Sequence, residues 1–225
     1  MKWSEIAWKS IEPIFDDICR HPFVKELAAG TLPAEKFARY LGQDRIYLAN
    51  YGKEMRDLAA MLPDGSLAEL YRKFAQESID AENSLHDELG ALGYDSIDPK
   101  PLAGTAEYMR HTSGIIASGD LALSMAAMLP CMWVYNEVGK HILEIASLDG
   151  NPYRSWIECY SSQMMDDGAR CSIELTDKMA SAESVERQDA MTQAFIESTR
   201  FEYMFWEQVY EDEPRLHKEF SRRTS

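Results

Sequence analysis

Asp44, Cys131 and Glu202 each interrupt a stripe of apolar residues that repeats with the period of an α-helix. The stripes are Phe37, Leu41, Leu48, Tyr51, Met55 and Leu58 around Asp44, Ala127, Met128, Val134, Tyr135, Val138 and Ile142 around Cys131, and Phe195, Phe205, Trp206 and Val209 around Glu202. An ionised carboxylate on a buried face is costly unless it is paired or its pKa rises. A thiol can act as a nucleophile, and a buried carboxyl group can donate or accept a proton. The three positions therefore predict a polar pocket inside a helical protein.

Each of these positions also has a structural interpretation. A buried Asp or Glu can accept hydrogen bonds from tyrosine hydroxyls or from a buried arginine without any catalytic role. A lone buried cysteine is often an inert, small hydrophobic residue. The occurrence of all three in one chain favours a functional site, but it leaves the chemistry of that site open.

Pro130 directly precedes Cys131 inside a segment with helical periodicity. A proline within a helix removes one backbone hydrogen bond and clashes with the carbonyl group four residues earlier. The proline could mark a helix boundary, but the apolar pattern continues beyond it to Ile145. We therefore predict a kinked or broken helix beside the thiol.

Aromatic residues accompany the three reactive positions. Tyr47 and Tyr51 follow Asp44, Tyr135 follows Cys131 by one helical turn, and several aromatic residues surround Glu202. Such residues often serve only core packing. Tyrosines next to buried carboxylates would also suit a flat, nitrogen-rich ligand that stacks between rings and is held by hydrogen bonds.

Motifs of several cofactor-dependent classes are missing from the sequence. No histidine follows a glutamate by three residues, as the Glu-x-x-His motifs of di-iron bundles require. The pairs Glu82/His86 and Glu137/His141 are four residues apart, which predicts surface pairs on exposed helix faces. There is also no P-loop, no glycine-rich dinucleotide fingerprint and no nucleophilic-serine elbow. We therefore expect neither a metal ion nor an organic cofactor.

Helices must position these side chains, because nearly every segment of the chain has apolar residues at helical spacing. The predicted helices cover about residues 3–19, 34–62, 66–92, 105–117, 121–147, 153–164, 166–180 and 185–212, with a loop over 93–104 and a short tail after Pro214. No alternating strand pattern, linker or internal repeat is present. We therefore predict an all-α, single-domain bundle of roughly eight helices over residues 1–225.

Composition and charge exclude several other classes of protein. The chain has 225 residues and a formal net charge of −15, which disfavours binding to nucleic acids and to anionic membranes. Its four cysteines form no Cys-x-x-Cys pair, so a structural zinc site has no support. No apolar run approaches the ~20 residues of a membrane span, and the N-terminus lacks the apolar stretch of a signal peptide. We therefore expect a cytoplasmic protein with reduced thiols.

Four stretches of the sequence resemble the TenA family, the thiaminase II proteins. They are HPFVKEL with GTLP at residues 21–33, YLGQDRIYL at 40–48, LPCMWVYNEVG at 129–139 and FEYMFW at 201–206. The stretches occur in order and extend over about residues 20–210. The run from Pro130 to Gly139 is the most specific of them, and its Cys131 is typical of the cysteine-containing class of the family.

The resemblance implies a haem-oxygenase-like all-α fold, usually a homotetramer, and the hydrolytic removal of an amine from an aminopyrimidine in thiamin salvage. It implies Cys131 as the nucleophile and Glu202 as the acid/base group, while Asp44 would bind the edge of the aminopyrimidine. It further implies that the pocket is lined by Tyr47, Tyr108, Tyr135 and Tyr160.

Two alternatives remain within this resemblance. One is a non-catalytic pyrimidine-binding or regulatory protein on the same scaffold, against which the presence of both Cys131 and Glu202 argues. The other is a haem- or metal-dependent oxidase with His21 as a ligand. A His-Pro pair after a helix end is more often a cap or a turn.

Overall fold

A computed structural model describes residues 1–63, 65–91, 93 and 100–211, and these residues form nine α-helices without a β-strand. The helices are α1 (Trp3–Arg20), α2 (Pro22–Ala28), α3 (Ala34–Met61), α4 (Ser66–Ala91), α5 (Ala103–Ala117), α6 (Leu121–Ile145), α7 (Arg154–Tyr160), α8 (Gln163–Ala180) and α9 (Val185–Tyr210). Eight of them correspond to the predicted segments. The short helix α2 was not predicted, and half of the predicted 93–104 loop, residues 94–99, and the tail after Pro214 lie outside the described residues.

His21 explains why α2 begins where it does. Its ring nitrogen Nδ1 accepts a hydrogen bond from the backbone N–H of Phe23, and Pro22 occupies the first helical position. Proline suits this position because its missing N–H would have no partner inside the helix. His21 is therefore an N-cap, as the His-Pro pattern indicated.

Helix α6 forms the centre of the bundle. It packs against α5, α7, α8 and α9, and its sequence is apolar on nearly all sides, as expected of a helix surrounded by protein. It is the one described helix that is long and apolar enough to cross a membrane, but 78% of its apolar stretch is buried within the protein. Such burial is typical of a core helix.

Pro130 lies inside α6 without ending it, because the helix continues from Leu121 to Ile145. The apolar pattern beyond Pro130 thus correctly predicted that the helix continues to Ile145, a break at Pro130 is wrong, and a kink there stays a prediction. Packing of α6 against several neighbours can offset the ~3 kcal/mol that an interior proline costs. Cys131 and Tyr135 consequently lie on one continuous face, one helical turn apart.

Candidate active site

A small pocket lies where α3, α5, α6, α7 and α9 meet. Its walls are formed by Asp44, Tyr47, Leu48, Tyr108, Cys131, Tyr135, Tyr160, Glu202 and Phe205. All seven residues singled out in the sequence are therefore in one place, although they come from five helices.

Glu202 is the carboxyl group at the α9 side of the pocket, and it is 1% exposed. Burial, with a smaller contribution from the nearby Asp44, raises its pKa from 4.5 to about 8. The Tyr108 hydroxyl donates a 2.6 Å hydrogen bond to Oε1 of Glu202, which acts in the opposite direction by favouring the ionised form. Glu202 can therefore carry a proton at neutral pH and give it to a bound molecule.

Asp44 has a different kind of partner, which the sequence analysis did not identify. Nε2 of His86 lies 3.0 Å from Oδ2 of Asp44, and both side chains are buried. The predicted exposed position of His86 is therefore wrong. His86 lies eleven residues, or about three helical turns, after Ala75, so the two residues share one face of α4. Because Ala75 is buried, this spacing was the signal that His86 points inward.

Tyrosine rings form much of the pocket wall and stack on one another. Tyr108 lies between Tyr47, at a centroid distance of 4.8 Å, and Phe201, at 5.3 Å. Tyr135 stacks on Trp206 at 5.0 Å and contacts Tyr160 at 5.4 Å. Burial raises the pKa of Tyr47, Tyr108 and Tyr135 well above 10, so their hydroxyl groups stay protonated and can donate hydrogen bonds.

Cys131 is the one cysteine of the four that lines this pocket, and no disulfide joins any of them. It is buried at 8% exposure and neighbours Tyr47 and Tyr135 closely enough to influence the pKa of both. Cys171 is buried elsewhere, where desolvation raises the pKa of its thiol to about 11. Cys171 therefore has the character of a packing residue.

Glu54 is a third buried carboxyl group that the sequence analysis missed. It is 2% exposed and accepts hydrogen bonds from the hydroxyls of Thr112 and Ser113, which joins α3 to α5. Burial raises its pKa as well. Glu54 does not line the pocket, so we regard it as a structural contact that aligns the helices carrying Tyr47 and Tyr108.

The part of the chain that the structure describes contains no cluster of side chains suited to bind a metal ion. No group of three His, Cys, Asp or Glu side chains there is arranged to hold an ion. His21, the candidate ligand, caps α2 through Nδ1, and its Nε2 lies 2.9 Å from Glu207. Glu137 pairs with Lys140 at 2.6 Å, rather than with His141 as expected from the sequence.

Fold and pocket together define a class: an all-α bundle with a thiol, two carboxyl groups and several tyrosines around a buried cavity. The chain belongs to the TENA/THI-4/PQQC family, whose sequence profile matches residues 8–212. This match confirms the family that the four sequence stretches indicated.

Individual relatives extend over nearly the whole chain. The aminopyrimidine aminohydrolase of Bacillus subtilis is 31% identical over 218 residues, which are 95% of this chain and 92% of that protein. The aminopyrimidine aminohydrolase of Halalkalibacterium halodurans is 26% identical over 217 residues, or 94% and 97% of the two chains. A TenA homologue from P. horikoshii has a similar structure, with a TM-score of 0.78 and 25% identity over 93% of this chain and 99% of that one. The all-α fold is thereby confirmed.

Proposed function

We propose that this protein is an aminopyrimidine aminohydrolase of the thiaminase II type. Its substrate would be 4-amino-5-aminomethyl-2-methylpyrimidine, which it converts with water to the 5-hydroxymethyl compound and ammonia in thiamin salvage. Thiamin itself is a second possible substrate of the same chemistry. The observation that carries the proposal is the meeting of Cys131, Glu202 and Asp44 in one tyrosine-lined pocket. The names of the two bacterial relatives support the same activity.

Binding of the pyrimidine uses the flat walls and the polar groups of the pocket. The rings of Tyr47, Tyr108, Tyr135 and Tyr160 would enclose a flat heteroaromatic ring, since aromatic faces favour stacked or edge contacts. The carboxylate of Asp44 is an acceptor, so it would bind the 4-amino group. Glu202 would bind a ring nitrogen through the proton that its raised pKa retains.

Catalysis would begin when the Cys131 thiolate adds to a ring carbon while Glu202 protonates the ring nitrogen. The substrate amine enters in its protonated, ammonium form, so the electron pair of the resulting non-aromatic ring expels it from the exocyclic methylene as neutral ammonia. Water then adds to the methylene and returns a proton to Glu202. Departure of the thiolate, with transfer of the ring-nitrogen proton to the released ammonia, restores the aromatic ring, so the net change is water consumed and ammonium released.

Ammonia release from the proposed substrate tests this function directly. We expect the wild type to turn over, and Cys131→Ala to lose activity by on the order of 10³-fold, because the nucleophile is removed. Cys171→Ala is the matched control: it also removes a buried thiol, but one outside the pocket, and should stay within about twofold of the wild type.

Other results would change the assignment. A wild type that binds the pyrimidine tightly without turnover would support the non-catalytic pyrimidine-binding protein instead. Equal turnover of Cys131→Ala and the wild type would keep the hydrolase class but remove the nucleophilic role of Cys131.

Two properties of the whole protein accompany the proposal. A cytoplasmic location would keep Cys131 reduced, which a thiol nucleophile requires. A homotetramer is expected from the resemblance to TenA proteins. Cell fractionation and light scattering test these two expectations.

A further inference from the structure

His86 contacts the proposed pyrimidine site from behind its wall. The imidazole bonds to Oδ2 of Asp44, but His86 is absent from the residues that line the pocket. It lies instead in the wall of a neighbouring cavity between α3 and α4, which also includes Leu48. His86 therefore acts on the pocket only through another residue.

The chemistry of the pair defines which group donates. A carboxylate has only acceptor atoms, so Nε2 of His86 is the donor in the 3.0 Å hydrogen bond when Asp44 binds it in the carboxylate form. This bond uses Oδ2 and leaves Oδ1 for another donor.

Burial makes this contact decisive for the orientation of Asp44. His86 is 5% exposed and Asp44 is 4% exposed, so water cannot readily replace the imidazole as the partner of Asp44. A carboxylate left unpaired in such surroundings would turn or take up a proton, and a protonated Asp44 would lose part of its acceptor capacity. Buried partners of this kind commonly orient the groups that touch a ligand.

We propose that His86 is the positioning residue of the site: it holds Asp44 by Oδ2, so that Oδ1 accepts the 4-amino group of the pyrimidine. This inference rests on the proposed function and adds a residue that determines which pyrimidines are recognised. Its consequence is specific, because only ligands with an amino group at that ring position depend on the contact.

Two amide substitutions at position 86 form a matched test. His86→Gln places an amide nitrogen near the position of Nε2 and keeps a donor for Asp44, whereas His86→Asn has the same amide on a side chain too short to reach it. The probes are 4-amino-5-hydroxymethyl-2-methylpyrimidine and its analogue without the 4-amino group, with dissociation constants measured by calorimetry. His111→Asn is the control, since His111 also bridges two helices, by a 3.2 Å contact with Ser198, but lies outside the pocket lining.

We expect His86→Asn to weaken binding of the aminopyrimidine by roughly 10- to 100-fold, the range typical of lost orienting partners, and to leave the analogue within about twofold of its wild-type affinity. His86→Gln should restore most of the loss, and His111→Asn should change neither affinity. Equal weakening of both ligands by His86→Asn would reduce His86 to a structural residue and overturn the proposal, as would no change in either.

Ammonia release by the wild type is measured in parallel to separate the two levels of inference. If the wild type is active but His86→Asn weakens both ligands equally or changes neither affinity, only the role of His86 is contradicted. An inactive wild type that binds neither ligand contradicts the proposed function, and the role of His86 fails with it.

Discussion

Buried acidic side chains in this protein differ mainly in the partner that each one has. Glu202 accepts a hydrogen bond from a tyrosine, Asp44 is paired with an imidazole, and Glu54 accepts from two hydroxyl groups. Burial raises the pKa of Glu202 to about 8 and also raises the pKa of Glu54, whereas the hydroxyl donors of both groups act in the opposite direction. Glu202 lines the pocket and can serve as the proton carrier, while Glu54 lies outside the pocket and joins two helices.

The raised pKa of Glu202 also makes the protein less stable as pH increases. Between pH 4.5 and about 8 the folded protein retains a proton that the unfolded chain releases, so the free energy of unfolding falls by up to about 1.4 kcal/mol per pH unit. Glu202→Gln cannot ionise but still offers an oxygen to Tyr108. We therefore expect the variant to become more stable than the wild type as pH rises, measured by urea unfolding at pH 5, 6.5 and 8.

The outcome at low pH serves as the control for this prediction. Well below pH 4.5, both the folded and unfolded forms of the wild type hold the proton, so the two proteins should have similar stability. A stability difference that stays constant from pH 5 to pH 8 would contradict a raised pKa for Glu202.

At the scale of the helices, the contact between α6 and α7 positions one wall of the pocket. Gly139 lies so close to α7 that a Cβ atom would be 2.6 Å from the carbonyl carbon of Tyr160. Asn136, one turn earlier on α6, donates a 3.2 Å hydrogen bond to the carbonyl oxygen of Tyr160. Because Tyr160 also lines the pocket, this close approach links helix packing to the site.

Replacing Gly139 should therefore disturb both stability and binding. We expect Gly139→Ala to lower the free energy of unfolding by about 1–3 kcal/mol, the usual cost of overpacking. The added Cβ atom would meet the backbone of Tyr160, which cannot move aside as a flexible side chain can. Displacement of Tyr160 should also raise the KM for the aminopyrimidine. Denaturant unfolding and ammonia-release kinetics measure the two effects.

Gly114 in α5 provides the matched control for this substitution. A Cβ atom there would meet no atom within 4 Å, so Gly114→Ala should stabilise the protein by about 0.5–1 kcal/mol through helix propensity. If Gly139→Ala and Gly114→Ala changed the free energy of unfolding by similar amounts, the close contact between α6 and α7 at Gly139 would be contradicted.

At the scale of the whole molecule, a single core extends from the first helix to the last. Trp3 near the start of α1 donates a hydrogen bond to Thr192 of α9 at 3.0 Å and packs against Phe195. The pocket itself draws on helices from residue 44 to residue 205, so it cannot form until most of the chain has folded. The net charge of −15 is carried outside this core, mainly by exposed acidic residues.

This organisation predicts one cooperative unfolding transition for residues 1–225, because the described helices share one hydrophobic core. Calorimetry should show a single transition, and light scattering of the native protein should give four times the 25.7 kDa of one chain if the expected tetramer forms. Two separate transitions would contradict the single domain. A mass of one chain would contradict the tetramer without affecting the proposed active site.

The sequence by itself determined the helices and the identity of the reactive side chains. Apolar periodicity placed α3, α6 and α9, and the interruption of that periodicity marked Asp44, Cys131 and Glu202. Both inferences depend on local spacing, which decides which face of a helix is buried. The family resemblance contributed Tyr108 and Tyr160, which no apolar stripe had marked.

Only the tertiary structure decided which side chains meet. His86 and Asp44 are 42 residues apart, and their contact depends on how α4 packs against α3. The local pattern around His86 suggested an exposed pair with its neighbour on the same helix, because such spacing is equally compatible with a surface pair. At Pro130 the apolar pattern correctly predicted that the helix continues, but only the structure shows that α6 is not broken there, because packing around α6 offsets the cost of the proline. Contacts between helices depend on the whole fold, so the local spacing of residues along one helix does not predict them.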